Sequence, residues 1–365
     1  MLTHSNSSPL GRAQQFADWL GIRVPILLAP MAGACPPSLS IAVANAGGLG
    51  ACGALTMKPD EIRAWTRKFR SQSKGHFQLN LWIPDPPPVR NVELEQLQRE
   101  FLANWGPAVH PEAGDTPLQD FAAQCEAMLE ASPRVISSIM GLYASEFVAE
   151  LKRRGILWFA TVTTVAEAKA AEAAGADAVV AQGAEAGGHR GAFRAEEAEK
   201  EWVGLMALLP QVVDAVTVPV IATGGIADAR GVAAALLLGA SAVQIGTGFL
   251  RAPDAMTPEA WAHRLARTEA HETMLTRAFS GRLGRSVATE YVRAAMSGPT
   301  PAPYPVQRGL TTAMREAAKK SGDAERMQMW AGQSAKLATA EPAGEIVGKL
   351  WEGARRLLND AGRLG

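Results

Sequence analysis

The 365-residue sequence predicts an α/β fold: a (β/α)8 TIM barrel with a smaller, mostly helical cap. Three observations predict it: eight short apolar runs of strand length, a helical pattern after most of them, and glycine at helix ends. Alternating β and α units imply a parallel sheet. Eight such units within about 250 residues fit a closed barrel better than an open doubly wound sheet.

In chain order, a strand at 25–29 precedes a helix over 38–46, and 49–52 precedes 59–70. The strand at 77–83 runs into a long polar stretch. Strands at 135–139 and 157–161 precede helices over 145–154 and 165–174. The strand at 178–182 enters a Gly-rich loop and then a helix over 205–216. A strand at 218–223, a helix over 229–238 and a strand at 242–246 close the series. Gly175 and Gly239 stand just past two of the helices, where a left-handed residue ends a helix well. Residues 1–250 are therefore read as the barrel, with an insertion at 84–133 that opens on Pro-Asp-Pro-Pro-Pro. Residues 251–340, rich in Arg and Met, read as the cap, and 341–365 as a C-terminal helix returning to the barrel.

Composition narrows the function. Thirty-six basic residues balance thirty-six acidic ones, so no long-range field draws the chain to nucleic acid or anionic lipid. The uncharged runs 24–57 and 231–250 are long enough for a membrane helix. The first is broken by Pro25, Pro30, Pro36 and Pro37 and the second by Gly239, so both read as buried core and no membrane contact is expected. Cys35, Cys52 and Cys125 lie far apart and suggest neither a disulfide framework nor a metal site. The polar start, Met1 to Leu10, lacks signal-peptide order, which leads to the expectation of a cytoplasmic protein. A homo-oligomer is left open.

Gly48-Leu-Gly-Ala-Cys-Gly53 matches the dinucleotide pattern, but a helix precedes it and a strand follows, the reverse of the required context. It reads as a helix-to-strand turn. Ala222-Thr-Gly-Gly-Ile226 and Gln244-Ile-Gly-Thr-Gly248 end the seventh and eighth strands. The loops there commonly form a phosphate site in such a barrel, and glycine lets backbone N–H groups approach an anion. The segment 181–191 carries Gly183, Gly187, Gly188 and Gly191 and ends the sixth strand at the catalytic face. His189 on it is the candidate catalytic residue. His4, His110, His263 and His271 lie in a ragged end, the insertion and a charged helical segment. Asn80 near the end of the third strand faces either a ligand or the insertion. Tyr304 is either packed in a Pro-rich turn or reaches from the cap into the barrel mouth, where it would touch substrate.

Five segments together resemble the nitronate monooxygenases, formerly called 2-nitropropane dioxygenases: 25–31, 44–50, 181–191, 223–226 and 244–247. Phe279-Ser-Gly-Arg282 and Trp330-Ala-Gly-Gln333 extend the resemblance over about residues 20 to 350. The chain departs from the family at Pro36-Pro37, where Thr-Pro is usual, and at Asp254, where Glu is usual. The resemblance implies an FMN-dependent barrel that oxidises small-molecule nitronates with O2 to a carbonyl compound and nitrite. Carried over by position, Met31, Asn80, Gln182, Gly187, Gly188, Gly224, Gly225, Gln244, Ile245, Gly246 and Thr247 would hold FMN. His189 would be the active-site histidine. Two alternatives stay open at this point: an FMN-dependent NAD(P)H reductase of quinone or enoyl-thioester type, and a non-redox barrel for a phosphate-bearing ligand.

Overall fold

In a computed structural model that describes residues 8–362, all eight expected strands form one parallel sheet. They are β1 (Ile26–Leu28), β2 (Gly50–Gly53), β3 (Phe77–Trp82), β4 (Val135–Ile139), β5 (Leu157–Val162), β6 (Ala178–Gln182), β7 (Val220–Thr223) and β8 (Ala242–Ile245). Their spatial order is β1-β8-β7-β6-β5-β4-β3-β2. The ring closes where Leu27 bridges Leu49, with Leu28 N–H donating to Leu49 O at 2.9 Å and Leu49 N–H to Ile26 O at 3.1 Å. The chain is a (β/α)8 barrel. His4 and most of the polar N-terminal stretch fall outside the described residues.

Side-chain alternation along the strands positions the site. Leu27, Val135, Phe159, Val180, Ile221 and Ala242 pack together inside the barrel. Two residues further on, Thr161, Gln182, Thr223 and Gln244 share that inward face and border a cavity. The lower barrel is thus apolar and its C-terminal mouth is polar. Outward residues such as Val179, Val220, Val243 and Ile245 join the core shared with the surrounding helices.

The opposite end is sealed by a helix, Pro9–Leu20, that the sequence reading passed over. Its buried residues Ala13, Phe16, Ala17 and Leu20 recur at helical spacing, a signal that is present in the sequence. The Arg12 guanidinium donates to Leu236 O at 2.6 Å and Ala240 O at 3.2 Å, tying the plug to the barrel. Phe16 is fully buried, so Phe16→Ala costs about 3–5 kcal/mol. The predicted glycine stops are present: Gly175 (φ +96°) and Gly239 (φ +106°) both end helices. At Gly239 an added Cβ would sit 2.7 Å from Val213 Cγ1.

The segment after β3 carries helices Val92–Leu102 and Phe121–Ala131. Residues 251–340 contain helices Glu259–Leu265, Glu290–Ala295, Val306–Leu310 and Thr312–Ser321, and also a strand pair the reading did not anticipate. Thr273–Thr276 pairs antiparallel with Gly284–Val287, which in turn pairs with Gly188–His189 from the loop after β6. This ribbon joins positions about a hundred residues apart, and no local pattern announces it. Helix Ala343–Ala361 returns to pack on Ala229–Leu237 and Pro37–Asn45, and the Asp254 carboxylate accepts from Ala343 N–H at 2.7 Å at its start. Among the described residues no helix is long and apolar enough to cross a membrane.

Candidate active site

The cavity at the strands' C-terminal ends has a volume of about 500 Å³, with the cap forming its outer wall. One end is built from backbone. Gly187, Gly188, Gly224, Gly225, Gly246, Thr247, Gly332 and Ser334 all border it. Gly224 (φ +112°) and Gly225 (φ +69°) take conformations that side chains disfavour. At Gly187 an added Cβ would lie 2.4 Å from Gly332 N. Thr247 Oγ1 accepts from Gly332 N–H at 3.0 Å, so the cap segment closes onto the loop after β8. The result is a cradle built mainly of glycine backbone, with the Thr247 and Ser334 hydroxyls at its edge.

Buried amides line the middle. Gln78 donates to Gln244 Oε1 and to Leu28 O, both at 3.0 Å, which turns the Gln244 amino group to the cavity. Asn80 Nδ2 donates to Ser137 Oγ at 3.0 Å and leaves its carbonyl oxygen as an acceptor. Gln182 has a further task. Its Nε2 donates to His189 O at 3.1 Å and its Oε1 accepts from Gly191 N–H at 2.8 Å, clamping the loop that carries the histidine. Met31 borders the cavity opposite Gly246, and its N–H is held by Cys35 Sγ at 3.3 Å.

His189 stands where the ribbon meets the barrel. Its ring lies between Trp82, edge-on at 4.5 Å, and Trp330 at 4.6 Å, and its Nε2 is 2.8 Å from Ser280 Oγ. Burial, with the nearby Arg282 and Arg308 cations, pushes its pKa down to about 3. That environment favours the neutral imidazole over the imidazolium near pH 7. Tyr304 does reach the cavity, 5.3 Å from Trp82. It is 8% exposed, its hydroxyl has no hydrogen-bond partner among the described residues, and burial raises its pKa, so it remains a donor.

Of the residues expected at the site, Met31, Asn80, Gln182, Gly187, Gly188, His189, Gly224, Gly225, Gln244, Gly246, Thr247 and Tyr304 all border this cavity. The side chain of Ile245 does not: it is 2% exposed and packs in the outer core, because neighbours on a strand point to opposite faces. The sequence reading missed Trp82, which period two places on the face of Asn80. It also gave no role to Ser280, Trp330, Arg308 and Arg315, which arrive from the cap. Neither arginine pairs with a carboxylate among the described residues; Arg315 donates to Thr311, Gln328, Arg308 O and Thr312. That wall favours an anionic ligand. Among the described residues no cluster of His, Cys, Asp and Glu is placed to hold a metal.

Fold and site together define a barrel enzyme with a glycine-lined cradle beside a part-buried histidine. The profile of the nitronate monooxygenase family matches residues 14–353. A probable nitronate monooxygenase of Staphylococcus aureus strain Newman is 36% identical over 341 residues, covering 92% of this chain and 96% of the relative. The crystal structure of a nitroalkane oxidase from Streptomyces ansochromogenes superposes with a TM-score of 0.85 at 37% identity, over 94% of this chain and 99% of that one. FabK from Thermotoga maritima gives 0.75 at 28% identity, over 96% and 99%. The chain belongs to the nitronate monooxygenase family, a family of oxidoreductases.

Proposed function

We propose that the protein is an FMN-dependent monooxygenase that oxidises alkyl nitronates, and nitroalkanes after deprotonation, with O2 to a carbonyl compound and nitrite. The observation that carries this reading is the neutral His189 on the wall of a cavity that also holds a glycine cradle. The residues fit FMN: Gly224, Gly225, Gly246 and Thr247 would hold its phosphate through backbone N–H groups. Asn80 and Gln244 offer an acceptor and a donor to a flavin's polar edge. Bound there, the flavin would supply the electron transfer, leaving binding and proton handling to the protein.

The protein's own part begins with the anion. Arg308 and the Tyr304 hydroxyl favour a negatively charged nitro group at the mouth. For a neutral nitroalkane, the His189 imidazole takes the α-proton, and the nitro oxygens receive the charge. Trp82 and Trp330, both in ring contact with the imidazole, narrow the space around it. No nucleic-acid or membrane partner is part of the proposal, and a cytoplasmic site of action accords with it.

The FMN-dependent NAD(P)H reductase raised by the sequence is the competing reading. Anaerobic mixing of the flavin-loaded protein with a nitronate or with NADH separates them. The nitronate should bleach the flavin far faster; rapid bleaching by micromolar NADH and none by a nitronate overturns the proposal. Purified protein without flavin absorption, unable to bind added FMN, overturns both.

A further inference from the structure

We propose that Ser280 is a positioning residue that holds His189 as its Nε2–H tautomer and thereby leaves Nδ1 as the proton-accepting atom. The inference rests on the reading above for its catalytic meaning but not for its geometry.

Ser280 is 2% exposed and sits at the tip of the cap turn before the ribbon strand. Three groups converge on its hydroxyl: His189 Nε2 at 2.8 Å, Arg282 O at 3.2 Å and Arg282 N–H at 3.3 Å. A hydroxyl has one proton to donate and two lone pairs. If it donates to Arg282 O, it accepts from Arg282 N–H and from His189 Nε2–H, and every group is satisfied. If it donates instead to His189 Nε2, Arg282 O loses the sole donor that reaches it among the described residues. A buried carbonyl left without a donor is costly, so the network selects the first arrangement.

His189 Nδ1 has no hydrogen-bond partner among the described residues, and the ring borders the cavity. In the selected tautomer Nδ1 carries a lone pair. When a nitroalkane is deprotonated, its α C–H bond breaks, the proton passes to Nδ1, and the electron pair moves into the nitro group. The products are a nitronate and an imidazolium whose Nε2–H stays on Ser280. The opposite tautomer would present Nδ1–H, a donor with no capacity to take that proton. Trp82 and Trp330 packed against the ring, and Gln182 on the His189 carbonyl, restrict flipping of the side chain.

The test is ¹⁵N NMR of histidine-labelled protein, with the His189 signal assigned by its loss in His189→Asn. The expected result is a protonated Nε2 and an unprotonated Nδ1; a protonated Nδ1 overturns the proposal whatever the enzyme's reaction. Kinetics add a second reading. Ser280→Ala should lower kcat with neutral nitroalkanes by about tenfold or more, out of the ~10²–10⁴ that a general base contributes. With preformed nitronates the loss should stay within about threefold, and Ser280→Thr should recover the nitroalkane rate. Equal losses on both substrate forms would mean that Ser280 serves binding or folding alone, and overturn the assignment. A protein inactive on both forms would count against the proposed reaction, while the NMR still decides the tautomer.

Discussion

Arg282 Nη1 lies 2.6 Å from the Asp85 carboxylate, with 2% of the arginine side chain exposed. Its Nη2 donates to Ala192 O at 2.7 Å. One guanidinium therefore ties together the segment after β3, the loop that carries His189, and the cap. Removing one partner of a buried pair leaves the other charge uncompensated, typically at 3–5 kcal/mol. Asp85 is 23% exposed, so Asp85→Ala should cost somewhat less, about 2–3 kcal/mol. Denaturant unfolding measures this. As a control, Arg194→Ala, in a solvent-exposed pair with Glu196, should leave the midpoint unchanged.

At Gly225 the backbone has φ +69°, and an added Cβ would lie 3.2 Å from Glu185 Cβ. Gly225→Val should abolish flavin retention by straining the turn and filling the cradle. The ratio of flavin to protein absorbance after purification checks it. A folded variant with full FMN would remove the phosphate assignment.

His189→Asn keeps a polar side chain but no useful base. Turnover of nitroalkanes should fall by ~10²–10⁴-fold. Preformed nitronates have already lost the proton, so only a hydrogen bond to the anion is changed, a term of ~1.5–3 kcal/mol at most. Initial rates of nitrite release at matched flavin occupancy compare the two. No loss on either substrate would return His189 to a packing role.

Burial holds His189 at about 3, below the ordinary histidine value of 6.5. The unfolded chain therefore binds more protons than the folded one between those values, and stability rises with pH across that window. The contribution is complete above 6.5 and is lost as pH falls toward 3. His76 is shifted the same way, by burial and Arg134, so the quantity to measure is the difference between wild type and His189→Asn. That difference should slope by at most about 1.4 kcal/mol per pH unit below 6.5 and flatten above it. A flat difference throughout would place the imidazole in water.

The sequence by itself determined the barrel, since strands covered on both faces must be apolar throughout, and β1, β2, β6, β7 and β8 are buried at every residue. It also determined the mouth: Asn80, Gln182, Gln244 and the glycines of the β6, β7 and β8 loops are polar or small at strand ends, a local signal. The helix Pro9–Leu20 was equally legible, in the spacing of Ala13, Phe16, Ala17 and Leu20. Ile245 shows the limit of motif reading, because alternation turns it away from the cavity that its neighbour Gln244 borders. Only the tertiary structure decided what surrounds His189. Ser280 lies 91 positions away, and Trp330 and Arg308 lie further still. Such contacts are set by how cap and barrel close on each other, through pairings like His189 with Gly284. No period in the chain encodes a hydrogen bond between residues that far apart, so the imidazole's environment, and with it its protonation, belongs to the fold.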